Sequence, residues 1–211
     1  MPASAVLRRP EGLGAAEAVA LWGPFVTAYG ALVDEGHVRP GDFVLITAAS
    51  SSVGLATIDV ANHIGAIPIA ATRTAAKKQR LLDAGAAHVI VTDDEDIAER
   101  TLEITGNKGA QFVFDAVAGE GRDARRLRRA RHQGNAVPAV VRADHAAVQR
   151  VRPDPGRRPP RPRGALRPRR CPSRDVRPRV DRTFDLTAIA DAHRYLEANG
   201  QFGKVVVTVG G

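Results

Sequence analysis

Apolar residues between positions 11 and 117 follow two alternating patterns, short β-branched runs and longer stretches with helical spacing. The short runs are bounded by turn-forming residues, which is typical of buried strands. The longer stretches have the length of helices that pack on a sheet. The pattern predicts strands at 43–47, 67–71, 88–91 and 111–116, and helices at 17–35, 53–64, 75–83 and 94–105. This alternation predicts an α/β fold with a parallel, doubly wound sheet and right-handed crossovers.

The helical stretch at 17–35 bears on membrane insertion and cellular location. We expect Gly23 and Pro24 to interrupt it partly. Because the uncharged runs of the chain reach only 16 residues and contain helix-disfavouring residues, we expect no membrane span. The first residues show no signal-peptide pattern, and Cys171 has no second cysteine for a disulfide. These features predict a cytoplasmic protein.

The alternating pattern stops after Gly121. Residues 122–179 contain no Phe, Trp, Tyr, Ile, Lys or Met, so we expect neither a packed core nor a sheet strand there. We therefore predict three parts: residues 1–121 form the first part of the sheet domain, 122–179 form an irregular insert, and 180–211 close the domain.

The closing part has a helical pattern at 186–199 and a β-branched run at 204–209. The first predicts an amphipathic helix and the second a strand with which the sheet resumes. The packed face of this helix would contain Leu186, Ile189, Ala190, His193 and Leu196.

Positive charge is concentrated in the insert. The whole chain has a net charge of +8, but residues 122–179 hold 19 of the 27 arginines against four acidic residues, for a net charge of +15. The remainder of the chain has a net charge of −7. The basic character therefore belongs to one segment and not to the α/β domain.

Two origins of this segment are open. Arg, Pro, Ala and Gly make up 39 of its 58 residues, and their codons all begin with two G or C bases. A GC-rich gene read out of frame gives this composition, and so does a disordered segment. The functional alternative is a basic arm that binds nucleic acid or another partner. The absence of Lys and of aromatic stacking residues favours the first interpretation.

The stretch from Phe43 to Leu55 predicts a phosphate site. A buried strand passes through the small residues 48–52 into a helix. A helix N-terminus attracts anions through its unpaired N–H groups and its dipole, provided that the side chains there are small. Aligned on Gly54, the dinucleotide-binding pattern G-x-G-x-x-G places Ala49 and Ser51 at the other two glycines, so only the third glycine is literal.

The end of the next strand bears on the choice between NADH and NADPH. A carboxylate at this position usually binds the ribose hydroxyls of NAD, whereas this chain has Thr72 and Arg73, followed by Lys77 and Lys78. Positive charge there suits a 2′-phosphate, so the sequence predicts NADPH. The alternative is that these cations simply form a solvated helix start.

The chain resembles the cofactor-binding half of the medium-chain dehydrogenase/reductase family, in its zinc-independent, quinone oxidoreductase-like branch. Five motifs at the start of the chain match this branch in order and spacing, and three more match at the end. They lie at 10–13, 15–18, 27–29, 39–42 and 48–54, and at 181–186, 192–197 and 203–207.

The resemblance implies an NADP-dependent oxidoreductase that transfers a hydride from NADPH to a quinone, an enone or a small carbonyl compound. It places Thr27 beside the nicotinamide end. Tyr29 is either a core residue on the same helix face as Trp22 or a residue on the substrate side. The resemblance places Asp115 and Val117 beside the nicotinamide ribose. The remaining cofactor-binding residues would be Ala49, Ser50, Ser51, Ser52, Val53 and Gly54 for the pyrophosphate, and Thr72, Arg73 and Lys77 for the adenosine end.

The resemblance also defines what this chain is expected to lack. Family members begin with a catalytic domain, so we expect the chain to correspond to a truncated cofactor-binding half, and whether this half is active alone stays open. Homodimerisation stays open, because the strand that would form the dimer edge falls within 122–179. We expect no metal site, since Cys171 is far in sequence from His132 and His145 and no CxxC or HxxxH spacing occurs.

Overall fold

Strands and helices alternate along the chain as the hydrophobic pattern predicts. The computed structural model describes residues 9–116, 130, 140–142 and 178–210, with the backbone alone for 140–142. The elements are α1 (Ala15–Tyr29), β1 (Phe43–Ile46), α2 (Ser52–Ile64), β2 (Ile67–Thr72), α3 (Lys78–Asp83), β3 (His88–Val91), α4 (Ile97–Ile104), β4 (Phe112–Asp115), β5 (Val140–Arg142), β6 (Val180–Asp185), α5 (Ile189–Glu197) and β7 (Lys204–Thr208). A π-helical segment, Gly30–Glu35, extends α1, and short 3₁₀ turns at Ala75–Lys77 and Leu186–Ala188 precede α3 and α5.

Five strands form one parallel sheet in the order β3-β2-β1-β4-β5. The chain builds outward from β1 to β3 and then crosses back to place β4 on the other side of β1. This confirms the predicted doubly wound α/β fold. It also creates a topological switch point between β1 and β4, where ligands bind in open α/β sheets.

The core lies on both faces of this sheet, which explains why its strands are almost entirely apolar. Side chains alternate between the two faces along each strand. On one face, Val44 and Ile46 are fully buried with Leu55 and Ile58 of α2. On the other face, Leu45, Ile69 and Val113 are buried with Ala98 of α4. The described helices therefore cover both faces of the sheet, so a polar ligand would meet its backbone at the strand ends.

Helix α1 corrects the expected interruption at Gly23 and Pro24, because both residues lie inside a continuous helix. Together with its extension, Ala15–Glu35 is long and apolar enough to cross a membrane by length and composition. A core helix of a globular protein meets the same criterion, and this one packs against α2, β6 and β7. Pro24 is itself buried within this packing.

Helix α4 begins three residues later than the pattern predicts. Asp96 is its N-cap, and its carboxylate accepts hydrogen bonds from the backbone N–H groups of Ala98 and Glu99 at 2.9 and 3.1 Å. A capping residue adopts extended backbone, so the acidic residues before it lie outside the helix.

Strand β5 corrects the expectation that residues 122–179 contribute nothing to the sheet. It pairs with β4 over three residues, from Val113↔Val140 to Asp115↔Arg142. Ala130, from the same segment, is fully buried, and its carbonyl accepts a hydrogen bond from the N–H of Ala110 at 2.8 Å. The origin of the rest of 122–179 lies outside the described residues.

The closing strand also departs from expectation, because β7 does not resume the five-stranded sheet. It pairs in parallel with β6 in a separate two-stranded sheet. A single bridge between Ser51 and Gly203 connects this small sheet to the turn after β1.

The predicted apolar face of the closing helix is not buried among the described residues. Leu186, Ile189 and Leu196 are each at least 40% exposed, and Ala190 and His193 are exposed as well. The buried residue of α5 is instead Ala192. The periodicity predicted the helix correctly but not the face that packs.

Candidate functional site

The carboxyl ends of β1 and β4 meet at the switch point, where two polar side chains are joined. Thr47 directly follows β1, and its hydroxyl donates to Oδ1 of Asp115, the last residue of β4, at 2.7 Å. The N–H of Ala116 in turn donates to the Thr47 hydroxyl at 3.1 Å. Asp115 is only 8% exposed. This bond network fixes the orientation of the predicted site residue Asp115 at the mouth of the crevice.

Sequence reasoning missed Thr47 as a member of this site. The signal was present, because a hydroxyl residue ends an otherwise apolar strand at the predicted crevice. Its partner is 68 residues away in sequence, however, and only the pairing of β1 with β4 brings the two together.

The turn after β1 is built from small residues and a strained backbone. Ala48 has φ = +45°, a left-handed conformation that is uncommon outside glycine. The N–H of Ala49 donates to the carbonyl of Ala71 in β2, at 3.2 Å, and the N–H of Ser51 donates to the carbonyl of Ala48 at 2.9 Å. These bonds hold the turn in place at the end of the sheet.

Ser51 caps helix α2. Its backbone is extended, and its hydroxyl accepts a hydrogen bond from the N–H of Gly54 at 3.0 Å. The other N–H groups of the first helical turn, at Ser52 and Val53, have no partner available within the helix. Together with the positive end of the helix dipole, they form a local environment suited to an anion.

Gly54 is required by close packing and not by backbone conformation. A Cβ atom there would lie 2.7 Å from the carbonyl oxygens of Ala48 and Ala49 and from the Cα of Ala49. The turn and the helix therefore approach each other more closely than any side chain permits. This is the role predicted for the third glycine of the dinucleotide-binding pattern.

The end of β2 supplies exposed positive charge beside this turn. Thr72 is buried, and its carbonyl accepts the N–H of Thr92 at 2.8 Å. Arg73, the next residue, is exposed. The structure thus places the predicted cation at the carboxyl edge of the sheet, on the strand next to β1.

Lys77 lies closer to the turn than the sequence suggested. Its ammonium group donates to the hydroxyl of Ser50 at 3.2 Å and to the carbonyls of Asn199 and Gln201, each at 2.8 Å. Burial lowers the pKa of Lys77, and the charges of Arg73 and Arg80 lower it further, whereas Asp181 opposes these effects.

Other predicted residues lie elsewhere. The hydroxyl of Thr27 donates to the carbonyl of Gly23 at 2.9 Å, within α1, and Tyr29 is half-buried at the end of that helix. Their place on the nicotinamide side stays a prediction from the resemblance. Val117 lies outside the described residues.

The described part of the chain contains no group of three or more His, Cys, Asp or Glu side chains that could hold a metal ion. Cys171, His132 and His145 lie outside it. The capped, small-residue turn suits a dinucleotide pyrophosphate.

Comparison with known proteins identifies the family. Two family models, each described as "Zinc-binding dehydrogenase", match residues 52–142 and 169–207. The chain belongs to the medium-chain dehydrogenase/reductase superfamily. Its closing helix and all but the last residue of its closing strand fall within the second match, which confirms the resemblance to the superfamily on both sides of the insert.

Individual relatives of this superfamily are oxidoreductases. A quinone oxidoreductase-like protein 2 homolog of Nematostella vectensis is 35% identical over 124 residues, which cover 57% of this chain and 33% of the relative. Among solved structures, an NAD-dependent alcohol dehydrogenase has a TM-score of 0.76 and 26% identity, covering 100% of this chain and 63% of its own. The quinone oxidoreductase of Thermus thermophilus, solved with and without NADPH, has a TM-score of 0.72 and 26% identity, covering 97% and 69%.

The chain matches only part of the length of each of these relatives. The chain spans about a third of the length of the Nematostella relative and about two thirds of the two solved structures. Over the matched part, the chain has a Rossmann-like fold and is similar to quinone reductases of this superfamily. The alternative of a basic nucleic-acid- or partner-binding protein finds no support among these relatives.

Proposed function

We propose that this chain is the NADPH-binding part of an oxidoreductase that transfers hydride to a quinone, an enone or a small carbonyl compound. The observation that carries the proposal is the turn from Ala49 to Gly54. It lies at the switch point of the sheet, is capped by Ser51, and brings a helix N-terminus close to the strand end. Such a turn accommodates a pyrophosphate.

The two ends of the cofactor follow from the pyrophosphate position. The adenosine end would lie over β2, near Thr72 and Arg73. The nicotinamide end would lie over β4, near Asp115 and Val117, with Thr27 and Tyr29 toward the substrate. NADPH would supply the hydride when bound, and the residues of the chain would bind and orient it.

The exposed guanidinium of Arg73 supports NADPH over NADH. A guanidinium binds a phosphate monoester with two parallel, charge-assisted hydrogen bonds, which the 2′-hydroxyl of NADH cannot replace.

We also propose that no zinc takes part in the reaction and that the protein acts in the cytoplasm. A second copy of the chain is the proposed partner.

Replacement of Arg73 tests the cofactor preference. We expect Arg73→Ala to weaken NADPH binding about tenfold, which corresponds to roughly 1.4 kcal/mol, and to leave NADH binding unchanged. Titration of both cofactors by calorimetry measures this. Arg39→Ala is the matched control, because Arg39 is an exposed arginine in the turn that precedes β1, at the opposite end of the sheet. Equal losses for NADPH and NADH would contradict the preference.

A further inference from the structure

The ammonium group of Lys77 has all three of its N–H donors engaged by the protein. They contact the Ser50 hydroxyl in the turn after β1 and the carbonyls of Asn199 and Gln201. An ammonium group has three donors and no acceptor. In this arrangement, Lys77 has no donor left for a cofactor phosphate.

The two carbonyls belong to the loop of residues 198–203, which joins α5 to β7 and is called the α5–β7 loop below. A second contact ties the same loop to the same turn, because the N–H of Gly203 donates to the carbonyl of Ser50 at 3.0 Å. Ser50 is therefore held on its side chain by Lys77 and on its backbone by Gly203. Neither contact is local, since Lys77 is 27 residues from Ser50 in sequence and Gly203 is farther still.

The α5–β7 loop is itself well anchored. Phe202 is 7% exposed and belongs to the main core cluster, and the guanidinium of Arg80 lies 4.1 Å from the centre of its ring. Gly203 has φ = +121° and packs so closely that a Cβ would lie 2.5 Å from the carbonyl oxygen of Arg179. Lys77 thus connects the turn to a loop that is held in place by Phe202 in the core and by the close packing of Gly203.

We propose that Lys77 is a positioning residue that holds the pyrophosphate turn through Ser50 and the α5–β7 loop, while Arg73 alone takes the 2′-phosphate. The inference rests on the proposed function and assigns different tasks to two cations that the sequence grouped together. Loss of Lys77 would loosen the surface that binds the pyrophosphate, which NADPH and NADH share. Loss of Arg73 would affect only the phosphate that distinguishes them.

The experiment compares Lys77→Met with Lys78→Met. Lys78 is the exposed neighbouring lysine, so its replacement removes the same charge without breaking the contacts to Ser50 and the loop. The first measurement is hydrogen exchange of cofactor-free protein. We expect Lys77→Met to raise exchange about tenfold or more at the N–H of Gly203, which donates to Ser50, and at the N–H groups of Ala49 and Ser51 in the turn, and Lys78→Met to leave it unchanged.

The second measurement is the dissociation constant for each cofactor. We expect Lys77→Met to weaken NADPH and NADH by the same factor, with Lys77→Arg restoring part of the affinity for both. Selective loss of NADPH binding in Lys77→Met, or unchanged exchange at the N–H groups of Gly203, Ala49 and Ser51, would overturn the positioning role. Failure of the wild-type protein to bind either cofactor would instead overturn the proposed function, and the positioning role with it.

Discussion

Gly54 and Ser51 show how single residues shape the turn after β1. Because Gly54 has no side chain, helix α2 can approach the turn closely, and a Cβ there would lie 2.7 Å from backbone atoms of the turn. The hydroxyl of Ser51 caps the helix by accepting a hydrogen bond from the N–H of Gly54. Both requirements are local, because the atoms involved lie within six residues of each other. A change at either position therefore acts first on the turn itself.

Gly54→Ala should destabilise the fold. The added methyl group would contact backbone atoms, which cannot rotate away, so we expect a loss of about 1 to 3 kcal/mol in the free energy of unfolding. The control is Gly200→Ala, after α5, where nothing lies within 4 Å of the added Cβ and the backbone φ is not positive. There we expect a change of less than about 0.5 kcal/mol. Urea unfolding of both variants measures this, and equal changes would contradict the packing role of Gly54.

Residues of the candidate site differ in how far the sequence could predict them. Ser51 and Gly54 follow from the order of strand, turn and helix, which is visible in one short stretch. The bond from Thr47 to Asp115 and the partners of Lys77 depend on contacts between residues 68 and 122 or more positions apart. No local pattern encodes such contacts, so the structure was needed to find them.

At the level of elements, Arg179 connects α2 to the closing part of the chain. Its guanidinium lies 3.3 Å from Oδ2 of Asp59, in the middle of α2, and donates to the carbonyl of Ala84 at 3.5 Å. Its own carbonyl accepts the N–H of Lys204, at the start of β7, at 2.8 Å. Burial raises the pKa of Asp59 to about 6, although the charge and hydrogen bonds of Arg179 act in the opposite direction.

The raised pKa of Asp59 makes stability depend on pH. The folded protein binds this proton more tightly than the unfolded chain, whose aspartate has a pKa near 3.8. The stabilising contribution is therefore complete below pH 3.8 and is lost as the pH rises toward 6. We expect the stability of wild-type protein relative to Asp59→Asn to fall by roughly 1 to 2 kcal/mol over this interval, allowing for solvent screening.

Urea unfolding between about pH 4 and pH 7.5 measures the effect at Asp59. Asp83→Asn is the control, because Asp83 is an exposed aspartate at the end of α3. Comparison with this variant separates the effect of Asp59 from that of removing an exposed carboxylate. A difference between wild-type protein and Asp59→Asn that is constant, or that rises with pH, would contradict the raised pKa.

The elements themselves were predictable to different degrees. The strands at 67–72 and 88–91 and the helix at 52–64 match the sequence pattern to within one residue, because β-branched runs and a final Gly65 mark them locally. The prediction of which face of α5 packs was wrong, because the burial of Ala192 depends on which neighbours the helix meets. Periodicity identifies an amphipathic helix but does not supply those neighbours.

At the scale of the whole molecule, the chain combines a five-stranded parallel sheet with a separate pair, β6 and β7. The alternation of strands and helices predicted the first, because crossover connections leave a regular signal in the sequence. It did not predict that β7 pairs with β6 and not with the five described strands of the sheet, or that β5 lies next to β4. Strand β5 lies within the Arg- and Pro-rich segment 122–179, whose composition carries no strand signal, and β6 directly follows that segment.

The two parts meet at the turn after β1. The Ser51–Gly203 bridge and the contacts of Lys77 join the β6–β7 pair to the place where the five-stranded sheet presents its helix N-terminus. The proposed cofactor site is therefore held by both parts of the described chain. The proposed oxidoreductase activity would require this site to be intact.

Titration of the chain with NADPH, followed by calorimetry, decides whether this turn is a dinucleotide site. The comparison is between wild-type protein, Ser51→Asn and Ser51→Glu. Asparagine keeps the helix cap, so we expect Ser51→Asn to bind, whereas glutamate adds bulk and negative charge where the pyrophosphate lies. We expect wild-type protein to bind NADPH and Ser51→Glu to lose binding while staying folded by circular dichroism. No binding by the wild-type protein, or equal affinity in Ser51→Glu, would contradict the assignment of the site.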